Sequence, residues 1–284
     1  MSDPRRRWAL GLYGVVVAMG VSGFLLKGGV TADDVFGIPF FAFATMGVVV
    51  ATRQPHNPVG WIFICVGLTP TTGFFTGAYA ARSLAIPGGL PAGSLLEWVS
   101  SWAWFPGIGM LSTFALLLFP DGKLPSRRWR AVPFLAGALI AVVTASMAFL
   151  PGPMEPFDTS LPSSENPFGI ESARALIGAV EGVAFSLVPL LALVCALSLA
   201  FRYRRASYQQ RQQIKWFAYS AVALVVVIAF EDPISKVLGE TVAEGFFFAG
   251  MIFPSVGAGI GILRYRLYDI DVVINRTIVY AILS

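Results

Sequence analysis

Reactive side chains are scarce in this 284-residue chain. Histidine occurs once, at His56, cysteine twice, at Cys65 and Cys195, and charged residues make up only 13% of the total. The lone histidine has no partners for a Ser/His/Asp set, and no His-Glu-x-x-His zinc pattern is present. No Gly-x-x-x-x-Gly-Lys-Ser/Thr loop offers a phosphate cradle. Each cysteine sits inside an apolar block, outside any Cys/His cluster, and reads as a small hydrophobe. No catalytic, metal or cofactor-binding residue is therefore assigned. A soluble domain would carry roughly 25% charged residues, so the low charge also excludes an ordinary soluble core. The net charge of +4 does not point to nucleic acid, because topology accounts for it.

What is abundant is apolar sequence. Hydrophobic residues reach 56% and the mean hydropathy is +0.72. Several blocks approach the ~20 residues a spanning helix needs, and the alternation of a β-barrel is missing. The expected fold is all-α, a polytopic transmembrane bundle of about eight helices over 8–26, 35–52, 58–80, 98–119, 131–150, 173–201, 214–230 and 242–263. The basic start resembles a signal peptide, but its apolar run is long and lacks a small-x-small cleavage site, so an uncleaved first helix is expected.

Eight helices with the N-terminus inside separate the charges. Sixteen of the 20 Lys and Arg residues then fall on inner segments, leaving Lys27, Arg82, Arg174 and Lys236 outside; only Asp3, Asp121, Asp269 and Asp271 of the 16 acids are inner. This is the positive-inside pattern. It predicts a multi-pass membrane protein with the N-terminus and Arg264–Arg276 cytoplasmic. Residues 1–263 form the membrane domain, 264–276 a cytoplasmic connector, and 277–284 the start of a further hydrophobic segment.

Ionisable residues within spans usually mark ion or proton pathways. Glu181 is the main candidate here, read either as a headgroup-level residue or as a polar wall of an outer cavity. Glu231 and Asp232, before Pro233, are expected to end the seventh helix and complete a candidate outer polar site. Pro39, Pro70, Pro106, Pro189 and Pro254 fall inside predicted helices, where each removes a backbone hydrogen bond. Gly73 with Gly77, and Gly257 with Gly261, have the spacing of close helix packing. The proline-rich outer stretch Pro151–Glu171 favours extended, irregular chain.

Three inner stretches are distinctive. His56-Asn-Pro-Val-Gly-Trp61 opens the third helix, with Asn57 placed to cap it. In Phe119–Arg130, Pro120-Asp121-Gly122 reads as a turn, Ser126 as a cap, and Arg127, Arg128, Trp129 and Arg130 as an anchor. Gln209–Tyr219 is a polar lead-in containing Arg211, Lys215 and Trp216. Each suits anchorage to anionic headgroups or a contact surface for a cytoplasmic partner. The C-terminal stretch adds Arg264, Tyr265, Arg266, Leu267, Tyr268, Asp269, Asp271, Asn275 and Arg276. Leu267, Ile270 and Ile274 share a helical face, so an interfacial helix fits; strand-like alternation at 269–272 competes.

Asn57-Pro-Val-Gly-Trp61, Phe119–Arg130, Arg211-Gln-Gln-Ile-Lys-Trp-Phe-Ala218 and Arg264–Tyr280, in this order, resemble the N-terminal multi-pass membrane region of bacterial, actinobacterial-type sensor histidine kinases. The last motif is the specific one. The resemblance implies a sensory or regulatory module of a two-component system that acts through a cytoplasmic kinase domain or a separate kinase, and as a homodimer. It also implies that a further hydrophobic segment, a phosphoacceptor histidine and an ATP-binding domain follow. None of these kinase residues is present before Ser284, so no catalytic site carries over. The expectation is a truncated kinase, a fragment, or a sensor-like protein with a separate partner. A small-molecule transporter and a structural membrane protein without activity are the alternatives.

Overall fold

The structure is a computed structural model that describes residues 3–28, 37–154, 164–239, 242–243, 245–247 and 249–263. The described residues are helical, with no strand beyond an isolated bridge between Pro153 and Glu165. The helices are α1 (Pro4–Lys27), α2 (Ile38–Arg53), α3 (Pro58–Leu84), α4 (Gly93–Leu118), α5 (Ala131–Phe149), α6 (Arg174–Arg205), α7 (Tyr208–Leu238) and α8 (Gly245–Leu263). Among the described residues six segments are long and apolar enough to cross a membrane: α1, α3, α4, α5 with its lead-in turn, α6 with its lead-in turn, and α8.

Local chemistry explains the starts and stops. Asp3 accepts from the Arg5 amide at 3.0 Å ahead of Pro4, and Gly28 closes α1 with a φ of 84°, a conformation that glycine adopts without a Cβ penalty. The Asn57 side chain accepts from the Val59 amide at 3.0 Å and caps α3, as the sequence predicts. Ser207 caps α7 in a capping box with Gln210. The polar lead-in at Gln209–Tyr219 is thus already helix.

Several boundaries differ from expectation. Pro39 lies in the first turn of α2, where a missing amide costs nothing. Ser126 makes no cap hydrogen bond; a 3-10 turn, Arg127–Arg130, leads into α5 instead. The chain helix continues past Glu231, Asp232 and Pro233 to Leu238, so this acidic pair does not end it. α4 begins at Gly93, which brings Glu97 into helix rather than loop.

α4 is also the least regular rod. It breaks at Ala103–Trp104 ahead of Pro106, resumes over Phe105–Met110, and passes through a π-helical turn at Leu111–Ala115. Thr113 Oγ1 donates to the Gly109 carbonyl at 2.6 Å across this irregular stretch.

α3 sits at the centre. In its apolar window 56% of residues are buried, against 22% in α1 and 17% in α6, whose outer faces are left for lipid. Its tightest contact is with α2. A Cβ added at Gly60 would lie 2.7 Å from the Ala51 amide nitrogen, and one at Gly67 would lie 2.5 Å from the Phe40 carbonyl. Gly47 faces the Ile64 amide in the same way at 2.5 Å. Backbone therefore packs on backbone, the usual basis of association where lipid removes the hydrophobic drive. Gly257 packs against Ser220 and Trp216 of α7, as its spacing predicts. Gly73 and Gly77 approach α4 only at ordinary distances of 3.6 Å and beyond.

Candidate functional site

The main core cluster lies near one end of the bundle. Phe43, Val59, Phe63, Phe119, Phe217 and Ile262 bring α2, α3, α4, α7 and α8 together. Phe119 stacks on Phe217, with ring centroids 4.6 Å apart and planes 21° apart. Above this apolar floor the chain leaves α4 through Pro120-Asp121-Gly122, closed by the Gly122 amide donating to the Leu118 carbonyl at 2.7 Å. The expected turn is present.

Arg202, near the end of α6, reaches into that turn. Its Nη1 donates to the Phe119 carbonyl and to Asp121 Oδ1, each at 2.9 Å, and its Nη2 donates to the Leu117 carbonyl at 2.9 Å. The planar guanidinium fork suits this task, serving one carboxylate and two orphan helix-end carbonyls at once. The Arg202 side chain is only 10% exposed, which makes the pairing a condition of its burial. From the opposite side, Asn57 Nδ2 donates to the Pro120 carbonyl at 3.1 Å. One loop is thus held by the start of α3 and the end of α6. At the same end, Arg5 Nη1 donates to His56 Nδ1 at 2.6 Å.

Two clefts meet at Asp121. One, of about 670 Å³, is lined by Lys123, Arg128, Trp129, Phe201, Arg205 and Gln210 among others. The second, of about 870 Å³, is lined by Arg53, His56, Asn57, Gln209, Gln213 and Ile262 among others.

The predicted inner anchor residues thus divide. Asp121 is half-buried in the junction and Trp129 lies 6.0 Å from the Phe201 ring. Arg127, Arg128 and Arg130 are exposed. Arg211 lies 5.7 Å from the Tyr203 ring centroid, and its Nη2 donates to the Arg204 carbonyl at 3.3 Å. Lys215 and Trp216 are half-buried on α7. The predicted connector, Arg264, Tyr265, Arg266, Leu267, Tyr268, Asp269, Asp271, Asn275 and Arg276, lies outside the described residues.

The opposite end carries a second polar assembly. Ser164 Oγ donates to Glu97 Oε1 at 2.6 Å, and Glu97 is 4% exposed. Asn166 Nδ2 donates to the carbonyls of Ala148 and Leu150, at 3.0 and 2.9 Å. Trp98 Nε1 donates to the same Ala148 carbonyl at 2.6 Å, and its ring lies 4.6 Å from that of Phe168. The described ends of the proline-rich stretch are therefore hydrogen-bonded over α4 and α5 rather than irregular. Beneath them Glu181 lines a cleft of about 270 Å³ with Ser101, Trp104 and Asn166. Glu231 and Asp232 lie on the α7 helix, away from its ends.

Arg202, Glu97 and Asn166 have no place among the predicted site residues. Asp121 carries the one available signal, as the sole acid on the segments predicted to be inner between Asp3 and Asp269. Among the described residues no group of three His, Cys, Asp or Glu is placed to hold a metal. Compared with family models, curated proteins and solved structures, the chain matches none.

Proposed function

We propose that the chain is the membrane-embedded sensory or regulatory module of a two-component histidine kinase. In this reading eight helices cross a bacterial inner membrane, and the N-terminus and Arg264–Arg276 face the cytoplasm. The observation that carries it is the junction at Asp121. Asn57 opens the first of the stretches that bear the resemblance, Asp121 lies in the second, and Phe217 in the third; Asn57 and Phe217 both touch the segment Phe119–Pro120. Ile262, two residues before the expected connector, lines the adjoining cleft. Motifs far apart in sequence thus support one shared task next to the exit from the membrane.

A sensor needs two packings that a stimulus stabilises unequally. α4 is suited to link them. It begins beside the Glu97–Ser164 contact at one end and delivers Phe119 and Asp121 to the other. Its break and its π turn lie between. A stimulus acting on the Glu97 end would shift α4, the junction and then the connector.

The test is a chimera in which residue 284 leads into a histidine-kinase dimerisation and ATP-binding core. Autophosphorylation in membrane vesicles is expected to change several-fold on Asp121→Asn. Activity equal to that of the free core, with and without the substitution, would defeat the reading. Solute uptake by vesicles of the unfused chain, abolished by Glu181→Gln, would instead favour a transporter built around the Glu181 cleft.

A further inference from the structure

The structure points to a phosphate-binding site in the 670 Å³ cleft, and we infer that its occupant is the headgroup phosphate of an anionic phospholipid. The inference does not depend on the sensory reading. Among the described residues four cations line the cleft, Lys123, Arg128, Arg202 and Arg205, with Asp121 as the one carboxylate. Asp121 is taken by Arg202 at 2.9 Å and also accepts from the Lys123 amide at 3.2 Å. Lys123, Arg128 and Arg205 form no ion pair with a described residue. Their charges converge on the cleft from two directions, the α4–α5 loop and the end of α6.

A phosphate answers this arrangement because guanidinium forks pair with its oxygens in two-point contacts. The remaining wall explains why the phosphate should carry a tail. Leu124, Phe201, Ala206 and Ile214 line the same cleft. Phe201 is 54% exposed and Trp129 packs beside it. Arg128 and Trp129 stand in the first turn of the apolar segment Arg127–Phe149, and Phe201 and Arg205 in the last turns of Glu171–Arg205. The cleft therefore lies where two candidate spans end, at the level of lipid headgroups. This differs from diffuse attraction to a charged surface, in which any equally charged pair on that face would serve as well.

The test measures retention of phosphatidylglycerol by the detergent-solubilised full chain, using native mass spectrometry. Arg128→Gln with Arg205→Gln is expected to weaken retention about 25-fold, two residues at about fivefold each. Arg6→Gln with Arg7→Gln removes the same charge from exposed positions of α1 and should leave retention unchanged. Equal losses in both double variants, or none in either, would overturn the proposal. Millimolar inorganic phosphate distinguishes the sources: displacement of lipid from the parent chain by phosphate alone keeps the site but assigns it to a soluble phosphate. Should the Arg128/Arg205 variant fail to fold, Lys123→Gln in the exposed loop is read instead. About fivefold weaker retention supports the site, and unchanged retention overturns it.

Discussion

Arg202 and Asp121, 81 positions apart, meet at 2.9 Å, and the same guanidinium closes the last carbonyls of α4. The pair joins α6 to the exit of α4 more firmly than an exposed ion pair would, since Arg202 is nearly enclosed.

Removing Arg202 therefore strips two carbonyls of their side-chain donor and the Asp121 carboxylate of its cationic partner. Arg202→Leu is expected to destabilise the fold by about 3 kcal/mol, whereas Asp121→Asn, at a more exposed position, costs about 1 kcal/mol. Thermal unfolding in detergent checks the order. An Arg202→Leu protein that melts with the parent would show that the junction contributes nothing.

The α2–α3 seam makes the sharpest contrast between glycines. Gly60→Ala drives a methyl into the Ala51 backbone and is expected to cost about 1–3 kcal/mol. Gly73→Ala meets Ser100 and Trp104 only at ordinary contact distance, and the gain in helix propensity makes it neutral or stabilising by up to about 1 kcal/mol. Melting curves for both variants decide it; equal shifts would refute the assignment of the seam.

Asn166 ties the segment after the proline-rich stretch to the end of α5. Asn166→Ala removes both carbonyl contacts and is expected to cost about 2 kcal/mol locally. External protease should then cut between α5 and α6 several-fold faster. An unchanged cleavage rate would mean that these contacts do not hold the segment down.

Sidedness is testable by thiol labelling in intact cells, with Cys65 and Cys195 replaced by Ala. A cysteine at the exposed Ser126 should resist a membrane-impermeant reagent, and one at the exposed Gly88 should react. Labelling of Ser126→Cys would reverse the proposed orientation.

Features with a local cause were legible in the sequence. The Asn57 cap, the Pro120-Asp121-Gly122 turn and the helical class each follow from a few neighbouring residues. The contacts that build the junction were not, because Arg202 finds Asp121 across 81 positions and nothing beside Arg202 announces a partner. Glu97 lies in helix because α4 starts five residues earlier than its apolar run suggests. The four-residue spacing of Gly73 and Gly77 predicts a close seam there, but both meet α4 only at ordinary distances. The seam lies at Gly60 and Gly67, seven apart, facing the small residues Ala44 and Ala51 of α2, a pattern that pairs of glycines alone do not reveal.

α2 has only 16 residues, which at about 1.5 Å per residue makes a rod of about 24 Å. Hydrocarbon is about 30 Å thick, so α2 is too short to match it. Most of its surface is turned to protein, and at Gly47 its neighbour is bare backbone. A helix so enclosed has little lipid-facing surface on which a length mismatch could act. α1 and α6, of 24 and 32 residues, are long enough to cover that thickness, whereas α2 is fitted to its protein neighbours.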